Sequence, residues 1–313
     1  MPYTFRRPTL DDAQALLTLM RACDVATIGR PDTTLADVVD ELRDPDLDLD
    51  LDAWIAVDPA GVAVACGFVF RRSDADIVDF DVYVHPSAHD LYGELWDLLE
   101  NRATQIGREL GHSQLRLDVA IYRADERQRV IAAGRGYAIA TVYYRMRIDH
   151  TAPAPKPQLP PRMRIDTVGS DQTLRQAAYD VETASFAQHF GFVKRSYEWW
   201  EAKFATSSST SWDSTRVLSV DGVPAGMLLA STQYVEDENC GYVDTLGVLA
   251  EHRGRGIGRL LLLDAFAQDF ALGQVGTILH VDANNVTPAL GLYESVGMRQ
   301  ILASDGWRRT VEL

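Results

Sequence analysis

Arg253-Gly254-Arg255-Gly256-Ile257-Gly258 is the stretch of this chain whose residue types and spacing point most directly to chemistry. Glycines let successive backbone N–H groups converge on an anion. A basic turn that opens a helix adds cationic side chains and the partial positive charge of the helix N-terminus. Such a turn suits a pyrophosphate, although a six-residue run read alone is equally a flexible basic turn. The elements around it decide. Val248 ends an expected strand and a leucine-rich helix follows Gly258. Thr277 to Val281 reads as a buried strand, Asp282-Ala283-Asn284-Asn285 as a turn, and Pro288 to Val296 as a short helix closed by Gly297.

This order of strand, glycine turn, helix, strand and helix resembles the core of the GNAT superfamily, the N-acetyltransferases that use acetyl-coenzyme A. The family's phosphate loop, Gln/Arg-x-x-Gly-x-Gly/Ala, is matched by Arg253, Gly256 and Gly258. Its second motif, an Asn, an Ala, Leu-Tyr and a closing Gly-Phe or Gly-Met, is matched by Asn285, Ala289, Leu292-Tyr293 and Gly297-Met298. The resemblance implies acetyl-CoA as cosubstrate and no metal. It also implies a cofactor site made of Leu246, Gly247 and Val248, the loop residues Arg253, Gly254, Arg255, Gly256, Ile257 and Gly258, then Arg259, Asn285, Ala289 and Tyr293. In the same way it makes Tyr293 the general acid for the leaving thiolate, where the residue alone reads equally as a core aromatic.

Alternation along Gly241 to Val248 puts Tyr242, Asp244, Leu246 and Val248 on one strand face. Asp244 is the expected base, with Glu236 or Glu238 acting through water, or a purely structural Asp244, left open. Phe186 to Phe192 and Tyr197-Glu198-Trp199-Trp200 fall between the first helix and second strand of this half, where the family builds its acceptor wall. Phe190, Phe192 and Trp199, with Trp307 beginning the last strand, are the acceptor-binding candidates, and His189 and Glu198 are polar partners for a ring or sugar-like amine. The tryptophans read equally as interdomain core. His280 reads as a core histidine.

Thr151 to Pro161 is too rich in proline for a helix or central strand and reads as an extended connector. The expected division is therefore 1–150, a linker at 151–162, and 163–313. Both halves show the same succession: a short strand, a capped apolar helix, a hairpin (Trp54 to Arg71, and Arg216 to Ala230), two further strands and a Gly-closed helix. The fold class is α/β, two tandem GNAT-like domains, each with a mixed, mostly antiparallel central sheet flanked by helices. After Val84 the first half reads His85-Pro86-Ser87-Ala88-His89-Asp90-Leu91-Tyr92-Gly93, without the arginine and glycine pair, so 1–150 is expected to be noncatalytic.

A formal charge of −15 argues against nucleic acid and suits a cationic partner or simple solubility. No apolar run reaches the ~18 residues of a membrane span, and Met1 to Arg7 lacks a signal-peptide core. Cys23, Cys66 and Cys240 show no metal spacing or even disulfide set. Asp44 to Asp52 reads as a solvated loop or strand entry. The expectation is a cytoplasmic monomer or homodimer acetylating a primary amine of a small molecule by direct attack. A noncatalytic acyl-CoA-binding sensor or interaction protein is the alternative. A mononucleotide loop is disfavoured by the missing Gly-Lys-Ser/Thr ending.

Overall fold

Apart from one short helix placed differently in each half, one order of elements occurs twice along the chain. The computed structural model describes residues 3–284 and 289–313. The first run is β1 (Thr4–Arg6), α1 (Ala13–Ile28), α2 (Leu35–Leu42), α3 (Leu49–Asp52), β2 (Ala53–Val57), β3 (Ala63–Arg71), β4 (Ile77–Val84), α4 (Tyr92–Glu109), β5 (Gln114–Tyr122), α5 (Glu126–Gly134) and β6 (Ala138–Asp149). The second is β7 (Met163–Thr167), α6 (Gln172–Phe186), α7 (Tyr197–Thr206), β8 (Arg216–Val220), β9 (Val223–Ser231), α8 (Val235–Glu238), β10 (Cys240–Val248), α9 (Ile257–Ala271), β11 (Gly276–Asp282), α10 (Ala289–Ser295) and β12 (Arg299–Glu312).

Local chemistry sets the boundaries. Asp171 caps α6 by accepting from the N–H groups of Thr173 and Leu174, and Ser196 caps α7 through Trp199 N–H. Helices α5 and α10 end in the same turn. Gly136 (φ 85°) and Gly297 (φ 94°) take the left-handed conformation, and the next residue closes back on the helix, Tyr137 N–H to Ala132 O at 3.0 Å and Met298 N–H to Tyr293 O at 3.1 Å. The acidic run from Asp44 to Asp52 is a partly exposed loop that leads into strand β2, with one buried end. It ends in α3, where Asp52 is buried and accepts from Arg102 Nε at 2.6 Å.

Two compact units result, one of residues 1–142 and 304–313 and the other of residues 143–303. Strand order is β1-β2-β3-β4-β5-β12 in the first and β6-β11-β10-β9-β8-β7 in the second. Pairing is antiparallel apart from β4 with β5 and β10 with β11, so each unit has a mixed, mostly antiparallel sheet flanked by helices. Strand membership does not follow chain order. Ser304 to Glu312 of β12 pair with β5 in the first unit, and Tyr143 to Asp149 of β6 pair with β11 in the second.

Charge and packing pin the returning segment of β12. Asp305, with no exposed surface, accepts from Arg123 at 2.6 Å, and Arg308 forks onto Asp118 at 2.6 and 2.5 Å. Trp307 joins the first unit's core, centred on Trp96, Phe80 and Tyr137 in edge-to-face contact. The second unit's main core gathers Met146, Leu261, Leu262, Phe266, Leu279 and Tyr293. Among the described residues no helix is long and apolar enough to cross a membrane.

Deleting residues 304–313 should therefore strip β5 of a partner. Amide hydrogen exchange along Leu115–Ile121 is expected to speed up by orders of magnitude while β9 to β11 keep their protection; unchanged protection in β5 would contradict the strand assignment.

Candidate active site

Strands β10 and β11 start as parallel neighbours and then part. Their register runs from Cys240 with Gly276 to Val243 with Leu279 and stops. From there β10 stays with β9, as far as Val248 with Gly226, while β11 stays with β6, as far as Asp282 with Tyr143. The facing edges open into a cavity of about 360 Å³, lined by the diverging residues Asp244, Leu246, Gly247 and Val248 on one side and His280, Val281 and Asp282 on the other. That volume lies in the range of small-molecule sites.

A β-bulge accompanies the parting. Between Val243, opposite Ala230, and Thr245, opposite Leu229, Asp244 is an extra residue. The simple alternation expected from the sequence is thereby broken. Tyr242 packs with Tyr234, Cys240 and Ile278, whereas Leu246 and Val248 pack with Val243 on the α9 side. Tyr242 is thus not on the face of Leu246 and Val248, and Asp244 is turned to the cavity by the bulge.

Two glycines let helices close on these strands. A Cβ on Gly247 would lie 3.1 Å from Ser185 Oγ of α6. A Cβ on Gly258 would lie 2.9 Å from Leu292 Cδ2 of α10, with Val248 and Leu246 side chains at 3.8 and 3.9 Å. The loop before α9 turns through left-handed Gly254 (φ 71°) and Gly256 (φ 79°), and Gly256 is the N-cap without a side-chain cap. The first N–H groups of α9, which have no intrahelical partner, thus start at the cavity wall formed by Gly256, Ile257 and Gly258. Arg253 bridges the mouth, donating from Nε to Val248 O at 3.2 Å and from Nη2 to Ser185 O at 3.3 Å. Arg259 lines the cavity and donates to Ser295 O at 3.0 Å, at the C-terminal end of α10. Arg255 lies outside the lining and meets His252 Nδ1 at 3.0 Å.

Tyr293 lines the cavity from α10 and is 7% exposed; burial pushes its phenol up to about 12. It is therefore protonated at neutral pH and able to donate. Asp244 is exposed where it meets the cavity, yet protein crowds it on its other sides, and this desolvation raises its carboxyl above the ordinary range against the opposing pull of Thr245 Oγ and Lys203. His280 also faces the cavity and is held from behind. Arg145 Nε, which can only donate, lies 3.0 Å from His280 Nε2, so a neutral ring carries its proton on Nδ1, 2.9 Å from the Tyr242 hydroxyl. His189 lines the cavity and packs against Phe186, ring centroids 4.3 Å apart and tilted by 53°. Burial lowers its pKa, opposed by Asp282 and reinforced by Arg253.

The cavity thus brings together Asp244, Leu246, Gly247, Val248, Arg253, Gly254, Gly256, Ile257, Gly258, Arg259, Ala289 and Tyr293 of the sequence candidates. Asn285 lies outside the described residues. Phe190, Phe192 and Trp199 are absent from the lining, and the Trp199 ring lies between Arg195 at 4.5 Å and Lys203 at 5.2 Å. Trp307 stands mid-strand in the first unit's core, because β12 starts earlier than expected and returns to β5. Glu238 is engaged by Arg147 at 2.7 Å and Arg145 at 3.8 Å, and Glu236 is exposed; neither lines the cavity. Among the described residues no group of His, Cys, Asp and Glu is gathered as a metal site.

Glu182 of α6 lies outside the lining. Its Oε2 accepts from Trp200 Nε1 at 2.9 Å, and its carboxyl is pushed up to about 7, first by burial and then by Asp244. It stands three and four residues before Ser185 and Phe186, both of which line the cavity.

Residues 175–298 match the acetyltransferase (GNAT) family. A mycothiol acetyltransferase of Thermobispora bispora is 29% identical over 196 residues, 57% of this chain; the match spans 61% of that relative's length. A GCN5-related N-acetyltransferase from Sphaerobacter thermophilus superposes with a TM-score of 0.82 at 23% identity, over 99% of this chain and 96% of that one. A tandem GNAT protein from the clavulanic acid biosynthesis pathway gives 0.74 at 18% identity, over 99% and 98%. The parted strands and the glycine-capped helix lie inside the segment that matches the GNAT family, and the whole chain shares the fold of the tandem GNAT proteins.

Proposed function

We propose that the second unit transfers an acetyl group from acetyl-CoA to a primary amine of a small molecule by direct attack. The observation that carries this reading is the convergence, in one cavity, of an opened strand edge, an uncapped helix N-terminus with arginines, and a protonated tyrosine. On the opened edge, backbone groups of Leu246 and Val248 hydrogen-bond the pantetheine amides much as a neighbouring strand would. Ser185 Oγ, buried without a partner in the lining, offers one more polar contact. The N–H groups of the α9 first turn, with Gly254, Gly256 and Arg253, cradle the pyrophosphate.

Chemistry follows at the inner end. Asp244 takes a proton from the incoming ammonium, the amine nitrogen attacks the thioester carbonyl, and the C–N bond forms as the C–S bond breaks. Tyr293 protonates the departing thiolate and regains its proton from the second one that the nitrogen sheds, while Asp244 returns the first to solvent. No acyl group is held on a side chain. A cationic acceptor suits the acidic chain and the carboxylate at the inner cavity.

The first unit serves packing or regulation in this reading. Strands β4 and β5 also part, after Asp79 with Asp118, but the chain's own side chains take the opened groups. Gln128 Nε2 donates to Val82 O at 3.3 Å and Cys23 Sγ to Val84 O at 3.4 Å. Ala88, Leu91 and Tyr92 are buried where the second unit has its glycine loop. A second acyl-CoA would have to displace them.

Calorimetric titration of acetyl-CoA is expected to give one site in the wild type and an affinity lowered about tenfold or more in Arg253→Glu, through loss of a charge-assisted phosphate contact. Two sites would overturn the assignment of the first unit. Tyr293→Phe should keep the affinity and lower kcat by a factor on the order of 10². Binding without CoA release across a panel of amines would leave an acyl-CoA sensor.

A further inference from the structure

The fork between β10 and β11 has a closed end, opposite the pyrophosphate loop. Val243 and Leu279 are the last residues of the two strands to pair, both line the cavity, and they are 2% and 1% exposed. Their side chains share one core with Tyr293 of α10, Met146 of β6, and Leu262 and Phe266 of α9. The fork therefore ends on an apolar floor with packed side chains behind it. Such a floor yields little, because a close-packed interior takes up extra methylenes only with strain.

On the other face of the sheet, side chains staple the same end. Tyr242 precedes Val243 and is paired in register with Ile278, yet its hydroxyl reaches along β11 and accepts from His280 Nδ1 at 2.9 Å. His280 Nε2 accepts from Arg145 Nε at 3.0 Å, and Arg145 stands directly opposite His280 in the pairing of β6 with β11. The Arg145 guanidinium lies 4.7 Å over the ring of Tyr234, which meets Tyr242 edge-on at 5.1 Å. Strands β10, β11 and β6 are thus tied together by side chains just where the backbone pairing of β10 with β11 stops. Tyr242 and Arg145 are buried, so water competes little for these bonds.

We propose that Val243 and Leu279 set the length of the acyl group, admitting acetyl and turning away longer chains, while Tyr242, His280 and Arg145 act as positioning residues that keep the fork from widening. The assignment rests on the acetyl-transfer reading above and names what limits the donor in it. In that reading the thioester carbonyl sits between Tyr293, which meets the sulfur, and Asp244, which meets the amine. Val243 adjoins Asp244 along β10, and Tyr293 packs in one core with Val243 and Leu279. The carbon chain of the acyl group therefore points at the floor. A longer chain has to displace these two side chains or push β10 away from β11, and the staple on the far face resists the second course.

The test compares acetyl-CoA with butyryl-CoA, by calorimetric affinity and by CoA release with an amine that is turned over. In the wild type kcat/KM should be lower for butyryl-CoA by a factor on the order of 10², the usual cost of extra methylenes in a closed apolar pocket, and affinity should fall in the same order. Leu279→Ala should narrow that ratio about tenfold or more by gaining butyryl-CoA, a gain that mere loss of stability would not produce. Val243→Ala, a smaller truncation of the same floor, should do the same if Leu279→Ala does not fold. Tyr242→Phe keeps the ring, breaks the staple and should also narrow the ratio; a merely structural Tyr242 would lower both donors together, and that outcome overturns the part given to the staple. A wild type that uses butyryl-CoA as well as acetyl-CoA, or folded floor variants that leave the ratio in place, overturns the floor with acetyl transfer intact. No CoA release from any amine, with butyryl-CoA affinity still rising in the floor variants, overturns acetyl transfer and leaves the floor standing.

Discussion

Two neighbouring parallel strands in the second unit cannot stay paired, and the site is what that parting leaves open. Asp244 inserts one residue into β10 against β9, the strand bends with β9, and β11 keeps straight register with β6. Backbone groups that a sheet would normally satisfy are released at the protein interior, where an unpaired N–H or C=O is costly. The surrounding elements make that opening a bounded one. Helix α6 comes close because Gly247 has no side chain, and α9 and α10 meet because Gly258 has none. Arg253 then ties the end of β10 to the end of α6 through two carbonyls.

The same construction occurs in both units with opposite results. Each has a parallel pair that separates after a few residues and a short helix closed by the same left-handed glycine turn. In the second unit the freed edge faces a cavity lined by glycine and arginine. In the first, Gln128 and Cys23 hydrogen-bond the equivalent carbonyls, and bulky Leu91 and Tyr92 pack below them. Side-chain identity at a few positions, not backbone topology, distinguishes the two partings.

Much of this was legible because it is local. Glycines at Gly254, Gly256 and Gly297 advertise left-handed turns, Asp171 announces the start of α6, and the Asp221-Gly222 hairpin fixes β8 and β9. Features that depend on contacts between distant residues were not. The bulge at Asp244 leaves no mark in an alternating strand sequence, yet it decides which of Tyr242 and Leu246 faces α9. Glu182 needed α7 to bring Trp200 beside it. Asp52 looks like part of a solvated acidic run until Arg102, fifty residues later, buries it. Trp307 looks like a pocket aromatic until β12 is seen to return to β5.

That return has a consequence for how the protein is made. As the chain leaves the ribosome, residues 1–142 emerge with β5 as the edge of their sheet, and the strand that covers it, Ser304–Glu312, is translated only after residues 143–303. An open edge with Leu115, Leu117 and Val119 behind it is a template for pairing with another chain. The first unit therefore waits for a strand that follows the second, and its exposure time is at least the time needed to translate the catalytic candidate in between. Slow codons or a holding chaperone would act on this interval. An insertion that lengthens the second unit would extend it without touching a single residue of the first.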